Sequence, residues 1–132
     1  MEIKINEATR NRPLGSRVID APYVFANLTG YIEQLKNERA WEKNDRNGIT
    51  VFKSNGMTIV VSALKKAAVL KDNIVNGFIT IQILTGTVRI ETPDGEVDIV
   101  ENQLIAFHPN IPHSIEAKMD AVLLITTHDV KE

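Results

Sequence analysis

The chain has no cysteine among its 132 residues. Disulfides, thiolate nucleophiles and cysteine-ligated zinc or iron–sulfur centres are therefore excluded. It also lacks a dense cationic face. Lys65-Lys66 is the only adjacent basic pair, and the formal net charge is −2. A nucleic-acid binder displaces counterions with clustered Lys and Arg, so no nucleic-acid partner is expected. No apolar run is long enough to cross a bilayer, and no membrane partner is expected. The opening residues 1–13 are charged and carry no apolar run, so no secretory signal is expected. There is no Gly-rich phosphate loop. Ser54, Ser62 and Ser114 stand outside any nucleophile-elbow context. These absences leave a cytoplasmic globular protein as the expectation.

What remains is one domain's worth of sequence with ordinary composition, 43% hydrophobic and 24% charged. Residues 1–47 read as an N-terminal arm and one helix packed on a barrel spanning 48–127, followed by a polar tail at 128–132. In the arm, Ile3 and Ile5 alternate with polar neighbours, which predicts a short strand. Pro13, Gly15 and Pro22 interrupt regular structure. The arm either straps its own sheet or is donated to a second subunit. Leu28, Ile32 and Leu35 recur at helical spacing, with Tyr31 on the same stripe, predicting a helix over 27–41. Asn27 or Thr29 supplies its N-cap. Its polar face, Glu33, Gln34, Lys36, Asn37 and Glu38, reads as solvated surface, and residues 42–48 as a turn.

From Gly48 the period becomes two. Asn55-Gly56 and Asp94-Gly95 mark hairpins, the first of type I′, which needs positive φ at both central residues. Short strands with turn signals about every ten residues, and no helix after 41, predict an all-β sandwich or barrel. One short strand is expected at Ala67–Leu70. Ile59-Val60-Val61, Leu104 to Phe107 and Val122 to Ile125 are apolar on both faces, so something must cover their outer side.

Two stretches carry a family resemblance. Ile81 through Gly86 to Ile90 resembles the end of the first cupin motif, a strand running into a glycine and then a second strand. Glu101-Asn102-Gln103-Leu104 through Pro109, Pro112 and His113 resembles the second, a turn leading to a proline-rich corner with one histidine. The similarity covers roughly residues 57–127. It implies an RmlC-like jelly-roll barrel, a double-stranded β-helix, and a homodimer as the partner arrangement. In metal-binding cupins the first motif supplies a His-x-His pair and a glutamate. Here those places fall on Asn73 and Val75 (or Asp72 and Ile74) and on Ile79. Only His113 is left, and one imidazole does not hold a divalent ion alone. No metal and no cofactor are expected.

The alternation points the same way. Ile79, Ile81 and Ile83 share one face of their strand, and Val88 and Ile90 continue the apolar set. The expected site is a ligand pocket lined by Ile79, Ile81, Val88, Ile90 and His113, with His108 on the same corner. It would take a small, partly apolar molecule. The competing expectations are a cupin enzyme and a barrel filled by its own side chains. The enzyme would be metal-dependent through atypical ligands such as His108 and His113, or an isomerase- or epimerase-like catalyst using His113. Acid–base chemistry needs a second positioned group, and both tyrosines, Tyr23 and Tyr31, precede the barrel block.

Overall fold

The alternating stretch from Gly48 onward folds into two antiparallel sheets facing each other across an apolar core. The structure is a computed structural model that describes residues 1–130, with the backbone only of Asp72 and Asn73. Its elements are β1 (Lys4–Asn6), β2 (Arg17–Asp20), α1 (Leu28–Asn37), α2 (Arg39–Lys43), β3 (Arg46–Ser54), β4 (Met57–Leu64) and β5 (Val69–Asn73). There follow β6 (Gly77–Thr85), β7 (Thr87–Thr92), β8 (Gly95–Val100), β9 (Leu104–Phe107), β10 (His113–Ala117) and β11 (Ala121–Asp129). One sheet has the order β3-β4-β11-β6-β9 and the other β5-β10-β7-β8. Consecutive strands alternate between sheets in places, which gives the jelly-roll winding.

The inner faces interlock. Ile79, Ile81 and Ile83 of β6 meet Val88 and Ile90 of β7, Ile99, Phe107, Ile115 and Leu123 in one buried cluster. Gly86 joins β6 to β7 with φ of +87°, and a Cβ there would stand 2.3 Å from the Asp120 carbonyl oxygen. Only glycine fits this crossing.

The outer face of β3, β4 and β11 is covered by the helices. Leu35, fully buried, packs with Ile49, Val51, Val61, Ala63 and Val122, and Tyr31, Ile32 and Trp41 close the edge of that cluster. This answers why β4 and β11 are apolar on both sides. Asn27 caps α1 through its Oδ1, which accepts the Gly30 N–H at 3.2 Å.

Several boundaries differ from the sequence expectation. The single helix over 27–41 is two helices broken at Glu38, whose ψ is 151°. Glu38 is not solvated surface; it is 8% exposed. Its carboxylate turns inward to Arg12, Asn47 and Gln34. The expected turn at 42–48 holds the end of α2 and the start of β3. β5 starts at Val69 rather than Ala67, because Ala67 has φ of 75° and cannot extend the strand. The hairpin at Asn55-Gly56 forms, but only Gly56 takes positive φ, so the turn is not type I′. The tail is shorter than expected. His128 pairs with Met57 and Phe78, Asp129 still belongs to β11, and residues 131–132 lie outside the described residues. The arm forms the small sheet β1-β2, and β2 lies alongside β3 of its own chain.

Candidate functional site

His113 opens β10 at the end of a corner fixed by its neighbours. Asn110 takes positive φ, 63°, a conformation asparagine tolerates. Its backbone N–H donates to the Val75 carbonyl at 2.8 Å, which ties the corner to the loop after β5. Pro112 then holds the chain extended into His113. In register, His113 faces Asn73 across β5.

The imidazole is only 5% exposed. It stacks on Phe107, with ring centroids 4.5 Å apart and planes 14° from parallel. Its Nδ1 lies 3.0 Å from the Ile111 carbonyl oxygen. A carbonyl only accepts, so Nδ1 carries the proton, and in the neutral ring Nε2 is left as the acceptor. Among the described residues no carboxylate or tyrosine hydroxyl is hydrogen-bonded to the ring. Tyr23 is exposed in the arm, and Tyr31, on α1, packs against the cluster between that helix and the sheet.

Of the places that the resemblance gives to the cupin ligands, the side chains of Asp72 and Asn73 lie outside the described residues, and Ile74, Val75 and Ile79 are aliphatic. Ile79 pairs with Phe107, the residue stacked on His113. Val75 packs against the same core cluster. Neither side chain offers a lone pair. Among the described residues, no group of three or more His, Cys, Asp and Glu side chains is placed to hold a metal ion.

Ile79, Ile81, Val88 and Ile90 all point inward. They pack against one another and the opposite sheet. The five clefts of 230–520 Å³ described on the protein are lined by other residues. The inner face is thus a core at these four positions, with Leu70, Val75, Ile105 and Ile125 half-buried against it.

His108 does not join His113. Successive residues on a strand face opposite ways. Phe107 turns inward, whereas His108 contacts Phe78 on the outer side, with ring centroids at 5.2 Å. The paired-histidine arrangement has no geometry to rest on.

A second polar site was not visible in the sequence. Arg12, from the arm, places its guanidinium against Glu38, with Nη2 at 2.9 Å. Arg12 Nη2 also donates to the Gly48 carbonyl at 2.8 Å. Asn47 Nδ2 donates to Glu38 and to the Leu35 carbonyl. Arm, helix junction and edge strand are tied at one point. The partners lie 9 to 36 residues apart in sequence, and no local pattern announces them.

No protein-family model matches the chain, and no curated protein matches it. Solved structures do. A conserved protein of unknown function from Streptococcus pyogenes is 19% identical with a TM-score of 0.68, covering 96% of this chain and 98% of its own. A cupin superfamily protein from Desulfitobacterium hafniense is 18% identical with a TM-score of 0.64, covering 66% and 80%. An RmlC-like cupin from Desulfovibrio desulfuricans is 20% identical with a TM-score of 0.58, covering 63% and 81%. The two cupins cover about two thirds of the chain, whereas the streptococcal protein covers nearly all of it. These likenesses show that the chain has the cupin fold.

Proposed function

We propose that this protein is a small metal-free binding module. It takes a small, partly apolar molecule at the His113 end of the barrel, with His113 Nε2 accepting a hydrogen bond from the molecule's N–H or O–H group. The observation that carries the reading is the state of His113. The ring is buried, stacked on Phe107 and held by Ile111, so one acceptor is fixed in an apolar setting. A fixed polar group within an apolar wall orients a ligand at little entropic cost. Acid–base catalysis is less well supported, because no second titratable group is bonded to the ring among the described residues.

Methyl and amide NMR, titrated with benzyl alcohol and benzamide, tests this reading. Saturable shifts are expected at Val75, Ile79, Ile105 and Ile125, and their loss in His113→Ala. Shifts scattered over the surface, or unchanged in that variant, would remove the proposal.

The second element of the reading is self-association. Phe25 is 98% exposed and Tyr23 87%. They flank an apolar cleft of 230 Å³ lined by Val24, Ala26, Leu28, Val51, Phe52, Ile59 and Leu124. Aromatic anchors beside a matching cleft suit an isologous contact between two copies. Sedimentation equilibrium should give a dimer that Phe25→Ser converts to monomer. A monomeric parent chain at high micromolar concentration would refute this.

A further inference from the structure

The largest cleft described, 520 Å³, lies on the opposite side of the helical layer from the barrel core. It runs between the arm at Arg10–Leu14 and α1 with the start of α2. Its apolar part is Pro13, Leu14 and Gly30; its amides are Asn11, Gln34 and Asn37. The arginines distinguish it. The chain has six. Arg12 is bound to Glu38, Arg17 to the Thr50 and Gly15 carbonyls, Arg46 to Asp45 and Arg89 to Asp98. Arg10 and Arg39 have no hydrogen bond or ion pair among the described residues, and both line this cleft.

The carboxylates divide differently. Glu38 borders the cleft, but its charge is answered by Arg12. Glu33 is the only other acid on the wall. Two unengaged guanidiniums against one unengaged carboxylate leave the cleft positive on a chain whose net charge is −2. The wall is also held in place. Gln34 Nε2 donates to the Leu14 carbonyl at 3.4 Å and to Glu38 at 3.1 Å, and the Arg12–Glu38 pair pins the arm beside it. The volume is that of a small-molecule site.

The geometry points to a binding site for a small carboxylic acid with a compact apolar body. The carboxylate is received by Arg10 and Arg39, whose forked donors suit it. The body rests on Pro13 and Leu14. This site is independent of the reading of His113.

Amide NMR of the full chain, titrated separately with benzoate, neutral benzamide and inorganic phosphate, tests it. Benzoate should give saturable shifts at Asn11, Gln34 and Arg39, and benzamide none there. Arg10→Gln and Arg39→Gln should each weaken benzoate, and together by about tenfold or more. Arg89→Gln, on the far sheet, and His113→Ala should leave it unchanged. No saturable shift in the cleft would overturn the inference. So would benzamide binding as well as benzoate, phosphate binding as tightly as benzoate, or a double variant that binds benzoate normally.

Discussion

Ile79→Glu is expected to destabilise the protein by about 4 kcal/mol or more, and added zinc or manganese is expected not to restore it. The substitution puts back the carboxylate that the first cupin motif would carry at this place. Here the position is 5% exposed, within a cluster of Ile, Val, Leu, Ala and Phe. A carboxylate there either stays charged without a partner or takes up a proton, and both options cost several kcal/mol. His113 stacks on Phe107, the pairing partner of Ile79, but its Nδ1 proton is already given to Ile111. Ile79→Val, which removes one methylene, should cost only about 1 kcal/mol. Chemical denaturation of the two variants measures the contrast. A near-neutral Ile79→Glu would mean that the inner face is wet.

Arg12→Met is expected to cost about 3 kcal/mol and to loosen residues 1–20 from the sheet. It strands a carboxylate that is 8% exposed, and breaking one side of a buried pair is far costlier than removing both. Arg12→Met combined with Glu38→Gln should therefore recover part of the loss. The pair also sets a pH dependence. Burial pushes the Glu38 carboxyl up, but hydrogen bonds from Arg12, Asn47 and Gln34, with the charge of Arg12, outweigh it and hold the group below the usual glutamate range. A carboxyl depressed in the folded state contributes stability above its unfolded value. That contribution disappears as pH falls through the folded value. Stability should drop on acidification below the ordinary carboxylate range. Glu38→Gln should be less stable at neutral pH and show a shallower acid slope. Protease sensitivity of the arm, followed beside unfolding, separates local release from global loss. A variant with unchanged stability and an unchanged acid slope would show that the tie is ornamental.

What the sequence disclosed follows from periodicity. Alternation over 78–84 placed Ile79, Ile81 and Ile83 on one face, and the sheets bury that face. The double-sided apolarity of β4 and β11 called for a cover, and α1 supplies it. The proline corner before His113 was likewise local. Long-range polar pairing left no such trace. Glu38 reads as one more charge on a helix surface, because its partner Arg12 lies 26 residues earlier, beyond any local pattern. Whether an apolar inner face encloses a cavity or closes on itself depends on how side-chain volumes match across two sheets, which a period does not record. His108 and His113 seemed neighbours because they share a corner, yet strand alternation sends them to opposite faces.

The most direct test is the metal content of the purified chain, before and after equilibration with zinc, manganese, iron and nickel, for the parent and His113→Ala. With aliphatic Val75 and Ile79 at two of the places that the resemblance gives to metal ligands, far less than one ion per chain is expected in both proteins, before and after loading. One tightly held ion per chain, absent in His113→Ala, would contradict it.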